Sequence, residues 1–340
     1  MSITPKKALL WEKTANGRIH CSLCAHNCVI EADGFGVCGM RQNINGTLYT
    51  YAYGAITSNN IDPIEKKPLY HFLPGTYAYS VATIGCNFKC SFCQNWRISQ
   101  ASVKNGGSTG YKMPPCEITG SAFKNSCSSI AYTYTEPTVF FEYALDTAKL
   151  AREKKLRNIF VTNGYMTEEA IKLISPYLDA ANVDLKFYKD ESYRKICGGR
   201  LQPVLDSIRN LKKNGIWVEI TTLIIPGEND SDEDLRGIAR FIADTGKEIP
   251  WHISKYHPDY KYTHHISTPA ETLNRAYETG RSEGLKHVYM GNVYARNETL
   301  CPGCGKVLID RADHTARIYP NRFEKGKCLN CNTHIDGVWE

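Results

Sequence analysis

The segment Cys86-Asn87-Phe88-Lys89-Cys90-Ser91-Phe92-Cys93 brings three thiols into one short loop. A 4Fe-4S core ordinarily takes four protein ligands. Three thiolates suffice for three of its irons and leave the fourth free to bind something else. A structural site has no reason to keep a position open, whereas a reactive one does, as zinc sites show. The alternative is a fragment of a zinc or ordinary iron–sulfur site whose fourth ligand lies elsewhere in the chain.

Two further groups stand among the 14 cysteines. Cys301-Pro302-Gly303-Cys304 and Cys328-Leu329-Asn330-Cys331 are CxxC knuckles 23 residues apart, which suits a tetrahedral zinc ribbon, with rubredoxin-like iron as the alternative. So small a module gains folding energy from its metal. The first group, Cys21, Cys24, Cys28 and Cys38, is compatible with zinc, a scaffold, or with an auxiliary iron–sulfur cluster that relays electrons or holds substrate. His26 within it either orients the loop or replaces a cysteine. Cys116, Cys127 and Cys197 stand apart, and a buried free thiol is the plain expectation. Cys197 falls in Ile196-Cys197-Gly198-Gly199, read as a flexible turn from which a catalytic thiol could exchange a hydrogen atom with substrate.

These groups need a frame. At roughly 150 residues per domain, 340 residues give about two domains. Strand patterns at Tyr77–Gly85, Ser129–Tyr134, Asn158–Asn163, Ala181–Lys186, Trp217–Ile225, Trp251–Tyr256 and His287–Gly291 alternate with helix patterns. The helices are expected near Glu117–Asn125, Val139–Lys154, Thr167–Tyr177, Pro203–Asn214, Asp232–Thr245 and Pro269–Glu283. Repeated strand–helix units argue for an α/β fold with a parallel sheet, and about six units favour a partial or complete barrel over a doubly wound sheet. The expected division is a Cys-rich segment and linker at 1–75, a core at 76–294 and a zinc-ribbon-like module at 295–340. Asp62–Leu69, with two prolines, reads as an extended linker.

Residues at strand ends of such a barrel face the active site. Thr135 and Glu136 follow the second strand, Asn163 the third, and His257 the sixth. Asp184 and Lys186 are two apart on the fourth and so share a face.

The Cx3Cx2C spacing with an aromatic before the last cysteine resembles the radical S-adenosylmethionine (SAM) superfamily. That likeness implies a partial (β/α)6-type TIM barrel in which a 4Fe-4S cluster on Cys86, Cys90 and Cys93 binds SAM and splits it reductively. The resulting 5′-deoxyadenosyl radical abstracts hydrogen from a substrate. Glu136 sits where the superfamily often has Gly-Gly-Glu, whose acid receives the SAM ammonium; Thr135 replaces a glycine. Thr162-Asn163-Gly164, Asp184-x-Lys186 and Tyr256-His257 resemble the pyruvate formate-lyase activating enzyme group. There the corresponding Asp, Lys and His lie at the SAM and cation site. Val161 stands where that group has an acid, which argues against the cation.

Nearly the whole chain resembles the radical SAM member of the AmmeMemoRadiSam system. The matching pieces are Cys21–Cys28, Gly36-Val37-Cys38-Gly39, Asp62–Leu69, Cys86–Trp96, Tyr132–Pro137, Trp251–Tyr260, Val288–Val293 and the terminal Cys-rich module. The likeness implies Memo-like and AMMECR-domain partners and a flavodoxin- or ferredoxin-like electron donor. A glycyl-radical activase is the alternative.

The formal charge of +6 invites a nucleic-acid reading, and a non-catalytic metal-binding nucleic-acid module is the competing class. One cluster and two four-thiolate zinc sites would bring the charge to about +1, however, and no Lys/Arg face is concentrated. No apolar run approaches the roughly 18 residues needed to span a bilayer. Met1–Lys7 has no apolar signal core behind its lysines, so a cytoplasmic, reducing setting is expected.

Overall fold

The structure, a computed structural model, describes residues 4–107, 110–293 and 297–340. Its centre is a sheet of seven parallel strands: β1 (Tyr77–Thr83), β2 (Ser129–Tyr132), β3 (Arg157–Thr162), β4 (Ala180–Asp184), β5 (Trp217–Ile224), β6 (Trp251–Lys255) and β7 (Val288–Gly291). Six helices cross between them: α1 (Pro115–Lys124), α2 (Phe141–Glu153), α3 (Glu168–Ile174), α4 (Leu201–Lys213), α5 (Asp232–Thr245) and α6 (Ala270–Ser282). The strands pair strictly in chain order. A doubly wound sheet reverses order at a switch point, and no reversal occurs here.

Strands β1 to β4 are almost wholly buried, as expected of parallel strands covered on both faces. Helix α4 shows the helical counterpart: Val204, Leu205, Ile208 and Leu211 are its buried stripe. Thr167 and Ser231 cap α3 and α5 by accepting from the backbone N–H of Ala170 and Asp234. Helix α3 stops at Ile174, short of the expected Tyr177. Pro176 explains this, because it has no backbone N–H to donate to the carbonyl of Lys172.

The linker expected at Asp62–Leu69 is instead part of the core. Ala55–Pro63 is a nine-residue strand running antiparallel to β1. The chain then turns inward, and Ile64, Leu69, Phe72 and Leu73 pack on Ala78, Ala131, Ile159 and Ala180 of β1 to β4. Small strand residues make room for this plug, and burying Phe72 alone contributes about 2–3 kcal/mol. Glu219 of β5, fully buried, accepts from the backbone N–H groups of Tyr70 and His71 and from Trp217 Nε1, and lies 2.7 Å from His252 Nε2. The prolines do start and stop structure here, but within a buried strap rather than a tether.

The C-terminal module carries its own small core of Leu308, Ile309, Phe323 and Ile335. It is not a separate body. Leu73 N–H donates to the Val338 carbonyl and Val338 N–H to that of His71. Arg311, buried, donates to the Tyr70 carbonyl and Thr299 and lies 4.0 Å from Glu65. The boundary expected at 294/295 lies outside the described residues. The N-terminal region, expected as a Cys-rich segment and linker, folds into two three-stranded antiparallel sheets.

Candidate functional site

Gly85 carries the chain from β1 into the cysteine loop. Its φ of +97° is a left-handed conformation, and a Cβ there would come within 2.6 Å of Met40. Glycine is required on both grounds. The loop is then fixed from below: Lys89 and Ser91 donate backbone N–H groups to the carbonyls of Cys197 and Ile196. Phe88, against Tyr165, and Phe92, against Phe187, fill the space between the cysteines.

Cys86, Cys90 and Cys93 line a cavity of about 1560 Å³. Its wall draws on the C-terminal ends of β1 to β7, among them Thr135, Glu136, Asn163, Asp184, Lys186 and Thr221. The sheet therefore curves around it. Burial pushes the Cys86 and Cys93 thiols up; for Cys90 the larger cause is the neighbouring Cys197 thiol, followed by burial. A bound cationic metal group is what would make thiolates of them. Phe88 N–H, 3.3 Å from Cys86 Sγ, and Ser99 Oγ, 3.1 Å from Cys93 Sγ, favour that charged form.

Among the described residues, Cys301, Cys304, Cys328 and Cys331 are the only group of three or more whose metal-ligating atoms all lie within 4.8 Å of one another. Cys301 and Cys331 sulfurs lie 3.4 Å apart, Cys304 and Cys328 sulfurs 3.7 Å. That is the spacing for a single tetrahedral ion, whose roughly 2.3 Å zinc–sulfur bonds put sulfurs about 3.8 Å apart. The loop triplet is wider, which fits a multi-iron cluster. Three thiolates with an open side toward a large cavity match the group that the spacing anticipates.

Glu136 is buried and held by four donors. Its Oε1 accepts from Thr138 N–H (3.0 Å), Thr138 Oγ1 (2.6 Å) and Thr162 Oγ1 (2.8 Å), and its Oε2 from Asn163 N–H (2.8 Å). Burial raises its carboxyl, and the Asn163 and Thr138 donors oppose that. Thr135 Oγ1 ties the end of β2 to the Thr83 carbonyl of β1. Asn163 Nδ2 donates to Asn87 Oδ1 at 2.7 Å and lies 3.8 Å from Cys86 Sγ. Asp184 and Lys186 both reach the cavity, paired at 2.7 Å. Burial alone would lower the Lys186 ammonium, but Asp184 and the Cys90 thiol override it and raise it well above the ordinary value.

Two expected residues sit elsewhere. His257 is exposed and meets the cavity wall only through Gln94, 3.0 Å from its Nε2. Cys197 is not in a flexible turn: it ends a π-helical segment, Tyr193–Cys197, with its side chain fully buried behind the loop and against Cys90.

Sequence reasoning missed Lys67. It lines the cavity, donates to Asp62 Oδ2 at 2.7 Å and lies 4.5 Å over the Tyr134 ring. Burial lowers its ammonium to about 8 against the pull of Asp62. Ser80 and Tyr134 also donate to Asp62; burial would raise its carboxyl, but Lys67, Tyr134 and Lys66 hold it well below the usual range. The only signal was the charged run inside the presumed linker.

The sequence model of the radical SAM superfamily matches residues 80–242, the stretch from β1 through most of α5. The chain belongs to the radical SAM superfamily. An uncharacterized protein of Methanocaldococcus jannaschii is 44% identical over 337 residues, which is 98% of this chain and 99% of that one. This radical SAM chain is also similar to the pyruvate formate-lyase-activating enzyme of Clostridium pasteurianum, 25% identical over 194 residues, covering 52% of this chain and 79% of that enzyme. Among solved structures, a radical SAM methyltransferase from Sphaerobacter thermophilus superimposes with a TM-score of 0.50 at 18% identity, covering 64% of this chain and 67% of that one. That likeness concerns the fold.

Proposed function

We propose that this chain is a radical SAM enzyme whose reaction takes place in the cavity at the C-terminal ends of the strands. The observation that carries this is the triplet itself: Cys90 buried, Cys86 and Cys93 half-buried, with an open side toward a large cavity at the strand ends. Cys86, Cys90 and Cys93 would hold a 4Fe-4S cluster. When bound, cluster and SAM supply a 5′-deoxyadenosyl radical competent to abstract hydrogen from a C–H bond.

The protein's own residues bind and orient. Glu136 Oε2 has one donor in the protein and retains room to accept from the SAM ammonium. Asn163 holds that carboxylate by its backbone and the Cys86 loop by its side chain. Lys186 presents a charge to the SAM carboxylate, and Asp184 a pair of acceptors to the ribose. Lys66 and Lys67 give the far wall a positive face toward an anionic part of SAM or substrate. Cys197 packs beneath the loop. His257, exposed, acts on the cavity through Gln94. Cys301, Cys304, Cys328 and Cys331 are a structural zinc site. The partial barrel spans 76–294, between the N-terminal Cys-rich part and the ribbon module, and works in the cytoplasm with a flavodoxin- or ferredoxin-like electron donor. Among the described residues, no helix is long and apolar enough to cross a membrane.

For the substrate, we favour a target shared with Memo-like and AMMECR-domain partners, because both Cys-rich flanks accompany the core and the full-length Methanocaldococcus relative spans them too. The second reading, activation of a glycyl-radical enzyme, draws on the Clostridium relative. A stable glycyl radical formed on a candidate protein only with this chain and SAM would select it.

The test is EPR of the reduced, iron-loaded protein. Adding SAM should shift the cluster signal, and Cys90→Ala should lose the SAM-responsive signal. A signal indifferent to SAM at saturating concentration would contradict the proposal.

A further inference from the structure

The N-terminal cysteines converge on one cavity. Cys21 and Cys28 are direct antiparallel partners on the strands Ile19–Cys21 and Cys28–Ile30. Cys24 lies in the turn between them, and Cys38 comes in from the turn before Arg41–Ile44. All four line one small cavity whose wall is otherwise largely apolar, including Leu23, Ile30 and Val139.

Sulfur spacing separates the two candidate metals. Where this chain builds a compact four-thiolate set, in the C-terminal knuckles, the sulfurs close to 3.4 and 3.7 Å. The N-terminal set does not: no three of its sulfurs lie within 4.8 Å of one another. A cubane places iron between each thiolate and the core, so its four thiolates stand roughly 6 Å apart around a central volume. A shared cavity with wide sulfurs is that arrangement. The sulfurs of the loop triplet at Cys86, Cys90 and Cys93 likewise do not all lie within 4.8 Å of one another.

A second observation is independent of the cysteines. Arg41 and Asn87 both line this cavity and are 2% and 1% exposed. Arg41 Nε and Asn87 Nδ2 have no hydrogen-bond partner among the described residues. Two buried, unsatisfied N–H donors are costly, and sulfide or thiolate acceptors would satisfy them. Arg41 Nη1 already donates to Cys21 Sγ at 3.6 Å, and Val37 N–H to Cys28 Sγ at 3.5 Å. A lone zinc ion brings no acceptor of its own, whereas a cluster brings inorganic sulfides.

We propose that Cys21, Cys24, Cys28 and Cys38 hold an auxiliary 4Fe-4S cluster in electronic contact with the cluster at the SAM site; the second clause rests on the function proposed above. Asn87 is the junction. It follows Cys86 directly, its side chain faces the N-terminal cavity, and its carbonyl lies 2.7 Å from His26 Nε2. His26 therefore orients the loop through that bond. Each cluster takes up one electron from dithionite, or from a ferredoxin-class donor, and no proton is needed.

The test begins with iron, sulfide and zinc contents of the native full chain, purified without oxygen. About eight irons, eight sulfides and one zinc per chain are expected. The Cys86→Ala/Cys90→Ala/Cys93→Ala variant should keep about four irons with the Mössbauer signature of a 4Fe-4S cluster and an EPR signal that ignores SAM. Cys24→Ser/Cys28→Ser should lose about four irons and keep the SAM-responsive signal. The reduced native protein should show a signal broadened by spin–spin coupling beyond the sum of the two variants. Two zincs per chain, with all iron lost in the triple variant, would overturn the auxiliary cluster and leave the SAM reading standing. Iron present only in the triple-variant-resistant pool would do the reverse. An unbroadened sum of two signals would overturn the electronic contact.

Discussion

The side-chain amide nitrogen of Asn163 lies 3.8 Å from the sulfur of Cys86. The same residue's backbone N–H donates to Glu136 Oε2, and its amide nitrogen donates to Asn87 Oδ1. One residue at the end of β3, by its backbone and its side chain, thus sets the distance between the cluster loop and the carboxylate proposed to receive SAM.

Removing that side chain should loosen the loop while leaving the backbone bond to Glu136. Asn163→Ala is expected to weaken SAM binding or cleavage by roughly 10–100-fold, the usual cost of losing an orienting partner of a metal ligand. Titrating SAM against the EPR shift measures it. Unchanged affinity and unchanged cleavage would show that Asn163 is merely packed there.

Lys67 makes the cavity sensitive to pH. Its ammonium titrates near 8, so one positive charge leaves the wall as pH rises through that value. Affinity for an anionic ligand should fall over the same interval, and Lys67→Met should be weak and flat across it. The stability sign is opposite. The unfolded lysine keeps its proton toward 10.5, so between about 8 and 10.5 the folded state binds fewer protons and this group adds stability as pH rises. Calorimetric titrations with inorganic sulfate, whose charge is constant over this range, and denaturant melts at a series of pH values separate the two effects.

The ribbon module should stabilise the barrel from below. Chelating the metal proposed for Cys301, Cys304, Cys328 and Cys331, or Cys328→Ser, is expected to open the module to protease. It should also lower the melting temperature of the whole chain, because Val338 and Arg311 are withdrawn from His71, Leu73 and Tyr70. Arg311→Met leaves the metal in place but abandons buried Glu65, and should cost about 3–5 kcal/mol. A barrel that melts at the native temperature without zinc would show that the contacts carry no stability.

Much of this was legible in the chain. The seven parallel strands stand within two residues of where the runs of β-branched and aromatic residues place them, because strands buried on both faces must be apolar throughout. The triplet, Glu136, Asn163, Asp184 and Lys186 converge on one cavity because parallel strands in sequential order bring all their C-terminal ends together. Lys67 was hidden, since its partner Asp62 lies in a polar antiparallel strand and its ring contact, Tyr134, some seventy residues away. Local pattern carries no trace of such a pairing. Cys197 was misjudged for a related reason: Gly198 and Gly199 suggest mobility, yet Phe88 packs where a Cβ on Gly199 would stand. The wide spacing of the N-terminal sulfurs depends on how two small sheets meet, which no cysteine spacing encodes.

One measurement decides whether this cavity does radical chemistry. Iron-loaded protein is reduced with dithionite under anaerobic conditions, SAM is added, and 5′-deoxyadenosine is quantified by mass spectrometry beside Cys93→Ala. Formation of 5′-deoxyadenosine by the native chain, absent in the variant, is the expected result. Equal amounts from both, or none from a native protein whose EPR signal also fails to respond to SAM, would contradict it.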